Sequence, residues 1–291
     1  MKKLSLIALS LISTMVMAQN DAKNDSTFIN LKKTKIIVVS QDENNDTLTN
    51  ATDSLPEEPK KRYKHWAGME IGINGLLNSA NGFDLNNAET VNHPKQLTSF
   101  MELDYRHSWQ FNLNFAEHFI KIYKHNVGIL TGLGFQFNNY ELKNNVRLTP
   151  EGGKFVNDTT TEYNQFYTFG IADTVRNYSK NRFKAVYITA PLLLEFNTGQ
   201  EAKKSFHFAI GGLLGYNIHS KMKYVYDQNG NKKKEKDKTD YNLNPFQASA
   251  LVQIGYGKVQ FFATYGFTTL FQNNKGPVVY PVSAGIKLVG F

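Results

Sequence analysis

Residues 99 to 115, SFMELDYRHSWQFNLNF, sort by every second position into two chemical sets. Met101, Leu103, Tyr105, His107, Trp109, Phe111, Leu113 and Phe115 form one set. Glu102, Asp104, Arg106, Ser108, Gln110, Asn112 and Asn114 form the other. Successive side chains of a β-strand point to opposite faces, whereas a helix repeats every 3.6 residues, so this pattern specifies an extended chain with two unlike faces. The alternation recurs over 67–74, 127–138, 186–196, 206–218, 246–256, 259–268 and 280–288. Most of these eight segments have about the length needed to cross a bilayer as tilted strands. An even number lets an antiparallel meander close on itself, and closure is required because an open sheet edge in lipid would leave backbone groups unsatisfied.

The connections alternate in length. Segments 116–124, 198–204 and 257–258 are short, while 75–98, 141–182, 227–244 and 269–278 are long and polar. Short turns at one end and long loops at the other are the asymmetry of outer-membrane barrels. The expected fold is therefore all-β: an eight-stranded antiparallel up-and-down transmembrane β-barrel. Its apolar set faces lipid, its polar set faces the lumen, and both termini lie in the periplasm of a Gram-negative bacterium.

With 21 Phe, 15 Tyr and 21 Gly, composition favours strands and turns. Past the N-terminus no apolar run is long enough for a membrane-spanning helix. At the N-terminus itself, Lys2 and Lys3 precede the apolar stretch Leu4 to Met17, and Val16-Met17-Ala18 supplies small residues before Gln19. That is the pattern of a secretory signal peptide over 1–18. The chain has no Cys, which excludes disulfides, thiolate metal sites and a lipid anchor on Cys. Loss of Lys2 and Lys3 would lower the net charge from +8 to +6. This moderately basic balance could suit an anionic surface such as lipopolysaccharide or nucleic acid, but soluble lysine-rich loops are the simpler account of it, and no nucleic-acid partner is expected.

Residues 19–62 are rich in Asn, Asp, Thr and Lys and read as a flexible periplasmic segment ahead of a barrel over 63–291. Within that segment Ile36, Ile37, Val38 and Val39 form an apolar island that could add a strand to a partner's sheet edge.

The inward set carries the chemistry. Glu70, Glu102, Asp104, Arg106, Glu195 and His207 are expected in the lumen, with Arg106 among the carboxylates as a salt-bridge network that plugs it. Glu195 and His207 would face each other across a hairpin as a satisfied pair or an acid–base unit. Adjacent residues such as His107 and Ser108 point to opposite faces and cannot act as base and nucleophile. No G-x-S-x-G elbow, metal-spaced cluster or phosphate-binding glycine loop is present, so no enzyme activity, metal or cofactor is expected. Two loops stand out. NGNKKKEKDKTD, residues 229–240, is lysine-rich and reads as a solvated tip or a dock for an anionic glycan or lipid head group. The longest loop, 141–182, carries Phe155, Tyr163, Phe166, Tyr167 and Phe169, which either extend the strands beyond the membrane or form a binding surface.

The leader, the eight-strand meander and the terminal Phe291 together resemble the outer-membrane β-barrel family that includes the PorT-like proteins, over residues 66–291. The resemblance implies a non-enzymatic structural, assembly or partner-binding component, in some members linked to secretion. Its partners would be outer-membrane lipid, the barrel-insertion machinery and a periplasmic or secretion-complex protein. The alternatives are a small-solute channel or a lipid-modifying enzyme. One feature departs from the usual barrel end. Counting back by twos from Phe291 gives Val289, then Lys287, Gly285 and Ser283, so the apolar set lies in the other register. Either a bulge near Gly290 or a weaker dependence on that pattern would resolve the discrepancy.

Overall fold

The computed structural model describes residues 27–31, 34–38, 65–85, 100–123, 126–157, 161–199 and 205–290. The leader 1–18, Val39 and Phe291 lie outside the described residues. The chain divides into two units, Met1–Glu57 and Glu58–Phe291. In the first, β1 (Thr27–Leu31) and β2 (Thr34–Val38) pair antiparallel. Ile36, Ile37 and Val38 of the apolar island lie on β2, opposite Ile29, Phe28 and Thr27.

The second unit contains β3 (Gly68–Leu77), β4 (Trp109–Tyr123), β5 (Val127–Glu141), β6 (Val146–Asn157), β7 (Thr161–Ala172), β8 (Tyr178–Asn197), β9 (Phe206–Gln228), β10 (Asn231–Asp237), β11 (Phe246–Tyr256), β12 (Val259–Gly266) and β13 (Tyr280–Gly290). Eight of these close a ring, β3-β4-β5-β8-β9-β11-β12-β13, with β13 returning to pair with β3. Every step of the ring is antiparallel. β10 extends one side by pairing with β9, and β6 and β7 form a separate hairpin.

Exposure follows the inverted rule of a lipid-solvated barrel. Leu192 is 63% exposed while Leu193 beside it is 1% exposed. On β8 the outward apolar residues run from Val186 to Phe196. Ten steps of about 3.4 Å on a strand tilted by about 40° cover about 25 Å of membrane normal, the height of the apolar band of such barrels.

β8 and β9 continue past this band, and their inward side chains build an apolar core at the loop end. Phe183, Tyr187, Met222 and Tyr224 pack there with Leu76, Tyr140, Tyr241 and Phe271. The long loop contributes as well. Tyr167 and Phe169 of β7 are buried in this core, and the side chain at Phe100 leaves no room for a Cβ at Gly170. Arg147 Nη2 and Arg176 Nη1 donate to the Glu235 carboxylate, at 2.6 and 3.1 Å, tying the hairpin to β10. The Tyr178 hydroxyl donates to Asp173. Burial and this bond push the Tyr178 phenol up to about 12.

The opening stretch needs a correction. It is not one strand: β4 begins at Trp109 and continues to Tyr123, so the turn after it is shorter than 116–124. Residues 102–104 instead run beside 141–143, through Asp104 N–H to Glu141 O at 2.8 Å, Lys143 N–H to Glu102 O at 2.8 Å, and a Leu103–Leu142 bridge. Met101 and Leu103 therefore alternate because they enter the loop-end core, not because they face lipid. The last strand carries the bulge: Lys287 pairs with Glu70 but Val289 pairs with Met69, a slip at Leu288.

Candidate functional site

The lumen is built in layers from inward residues of the ring. At the end where the chain enters β3, the segment 65–67 tucks inside. Glu117 of β4 holds it by accepting the backbone N–H of Trp66 at 2.8 Å and of Ala67 at 3.0 Å. The His65 ring stacks on His207 of β9, with centroids 4.1 Å apart and planes 14° from parallel. His65 Nδ1 donates to Glu195 Oε1 at 2.7 Å, and Asn197 Nδ2 donates to the same oxygen at 2.6 Å. Lys287 Nζ donates to the His65 carbonyl at 2.6 Å. Trp66 packs with Leu130, Leu193, Leu251 and Phe262.

Two glycines make this crowding possible. A Cβ on Gly132 would meet the Trp66 ring at 2.8 Å, and one on Gly255 would meet His207 Nε2 at 2.2 Å. In the next layer Glu70 accepts from Asn112 Nδ2 at 2.9 Å and from Gln253 Nε2 at 3.2 Å, while Gln110 Nε2 donates to Asn112. Farther along, Asn74 donates to Asn138, and Thr264 and Ser283 share a hydrogen bond.

Of the six residues expected in the lumen, Glu70, Glu195 and His207 are there. Glu195 does not pair with His207 across the hairpin. In register it faces Ala209, while Asn197 faces His207. Its imidazole partner is His65, which precedes β3 and carries no alternation by which the sequence could place it. Glu102, Asp104 and Arg106 lie at the loop end because their segment is outside β4. Glu102 accepts from Lys143 at 2.5 Å, Asp104 is 2.7 Å from His107 Nδ1, and Arg106 is exposed. That His107 contact holds the Asp104 carboxyl below its ordinary value. The buried cation of the lumen is Lys287, which the alternation of the last strand already places inward.

Chemically the lumen is a packed set of buried polar side chains, and among the described residues some of their atoms, such as Asn114 Oδ1 and Gln253 Oε1, have no hydrogen-bond partner. Glu195 and Gln253 are 0% exposed, and Glu70 and His207 are 1% exposed. A water-filled pore would leave its lining accessible. A His–carboxylate contact can serve acid–base chemistry only where substrate reaches it, and this one is sealed. Among the described residues no group of His, Cys, Asp or Glu has the arrangement of a metal site. On the outer surface, Ile73, Gly75, Phe83, Tyr105, Val282 and Ala284 line an apolar groove of about 540 Å³ at the loop end of β3 and β13.

Comparison with a family model agrees with this geometry. The family model described as "Outer membrane protein beta-barrel domain" matches residues 67–272. Among solved structures, the chain is similar to Ail, the attachment invasion locus protein of Yersinia pestis, at 10% identity and a TM-score of 0.25. That match covers 76% of this chain and 95% of the other. No curated protein matches.

Proposed function

The chain belongs to the outer membrane protein beta-barrel domain family, and from that premise we propose that it is a non-enzymatic scaffold. Its barrel anchors it in the outer membrane, and its loop end and N-terminal segment bind a partner in a larger assembly, as in the secretion-linked PorT-like branch. In this reading the loops are external and the termini periplasmic. The observation that carries it is the filled lumen: Glu70, Glu195, His207 and Gln253 of the interior are at most 1% exposed, which leaves no open water path past them. A barrel with no aqueous path offers its surfaces, and the loop end has a built core that holds those surfaces rigid. The apolar island Ile36 to Val39 is the docking candidate on the periplasmic side, through strand addition.

The test is an affinity pull-down of tagged full-length protein from gently solubilised outer membranes, beside a form lacking residues 20–62. A stoichiometric partner lost with the deletion is the expected result. Purification alone in both forms overturns the assembly reading. Planar-bilayer recording on the same protein is expected to give no stepwise conductance; steady ohmic steps would favour the channel.

A further inference from the structure

The outward side of β8 changes character abruptly. Ile188 and Val186 are apolar, and the next outward positions are Lys184, Arg182 and Lys180. β9 does the same, from Tyr216 to Lys221 and Lys223. Pairing then aligns the cations in rows. Arg182 faces Lys223, which faces Lys236 of β10 on its other side. Lys184 faces Lys221. Lys180 and Lys234 flank Val225.

Like charges directly opposite each other on a sheet are destabilising, and little nearby offsets them. Glu141 binds Arg182 at 2.6 Å. Glu235 is engaged by Arg147 and Arg176. Among the described residues, Lys184, Lys221 and Lys223 have no carboxylate within ion-pair distance. Partial burial, and after it the surrounding cations, hold the Lys184 and Lys223 ammonium groups below their ordinary values. Position decides what completes such a site. The belt begins two residues beyond Val186 on the same outward face. That places its first row, Lys184 and Lys221, within about 7 Å of the apolar band along the strand, at the depth of lipid head groups rather than at a loop tip.

We propose that this belt binds the phosphorylated head groups of glycolipid in the leaflet facing the loop end, clamping phosphate between β8, β9 and β10. The proposal rests on the membrane-anchored reading above. Juxtamembrane lysine is worth about 1 kcal/mol against an anionic lipid surface, a factor of about five each.

The probe is diphosphorylated lipid A titrated onto the full chain in detergent micelles and read by native mass spectrometry. The wild type is compared with the triple variant Lys184→Gln, Lys221→Gln, Lys223→Gln. Wild type is expected to retain lipid A, the triple variant to bind it about a hundredfold more weakly, and enzymatically dephosphorylated lipid A to bind wild type no better than the triple variant binds the intact lipid. Millimolar inorganic phosphate is expected not to compete, because the acyl chains seat the head group. Removing opposed cations should leave the barrel as resistant to heat unfolding on gels as the wild type, so a lost signal is not lost fold. Equal retention by both forms overturns the proposal, as does full competition by free phosphate. A chain that partitions into lipid nanodiscs but retains no lipid A breaks this inference alone; one that fails to partition breaks the anchored reading with it.

Discussion

Lys287→Met tests whether the lumen is held by its charge pairing. Lys287 and Glu70 are cross-strand neighbours on the inward face of β13 and β3, and both are buried, at 7% and 1% exposure. Methionine keeps the length and apolar stem but removes the ammonium. The His65 carbonyl then loses its 2.6 Å donor, and Glu70 loses the cation opposite it, keeping neutral amide donors such as Asn112 and Gln253. Breaking a buried pair by deleting one partner costs about 3–5 kcal/mol. The two amide bonds already made to Glu70 and the polarity of the lumen place the expected loss at the lower end, about 3 kcal/mol. Glu70→Gln in the same chain removes the stranded charge while keeping an acceptor, so the double variant should recover at least half of that loss. The assay is reversible denaturant unfolding of the refolded barrel in micelles, followed by tryptophan fluorescence, since Trp66 follows His65, whose carbonyl Lys287 holds. A single variant within about 0.5 kcal/mol of wild type, or a double variant no better than the single, would refute the reasoning. Either outcome would mean that the lumen is wet enough to screen the pair.

Three further outcomes follow from the same geometry. Leu192→Arg, at the centre of the outward band of β8, should cost about 2–4 kcal/mol in lipid, as read by folding equilibrium in vesicles; an unchanged midpoint would remove β8 from the bilayer. Gly255→Ala places a methyl 2.2 Å from the His207 ring and should cost about 1–3 kcal/mol by overpacking. Adding His207→Ala should recover much of it in the same unfolding assay, and failure to do so would place the strain in the backbone near Val259. At the loop end, burial pushes the Asp173 carboxyl up, but the Tyr178 hydroxyl and the Arg176 and Val175 N–H groups outweigh it, so the net shift is down. Its stabilising contribution is therefore present above the ordinary aspartate value of about 3.9 and is lost as pH falls below that. Tyr178→Phe should move the Asp173 titration upward, as measured by carboxyl NMR, and an unmoved titration would show that the backbone donors suffice.

The ring itself was legible because lipid and lumen impose opposite demands on adjacent residues, and eight segments met them in an even count with alternating connections. What alternation does not report is which apolar medium receives the greasy face. Met101 and Leu103 keep the period of β4, yet they enter the loop-end core. The turn between had its own signal: Asp104 Oδ1 accepts the Arg106 N–H at 3.1 Å, and Ser108 Oγ donates to the Asp104 carbonyl at 2.9 Å. A DYRHS segment offers those local bonds in competition with a ladder. Bulges hid the rest. A register shift between Asn114 and Ala116 breaks the alternation of β4 where the strand in fact continues, and a second falls at Leu288, between Lys287 and Val289 of β13.

The misplaced cation follows from the same error. Once Arg106 leaves the barrel, Glu70 and Glu195 still need a positive partner in a medium that does not tolerate unpaired charge. Among the described residues, the inward set of the remaining strands holds one buried lysine, Lys287, opposite Glu70 in register. Charge balance inside a sealed lumen is thus a constraint on register: it selects Lys287 over Arg106 without reference to the loops. It also makes a substitution removing Lys287 less costly when it is matched at Glu70 on β3.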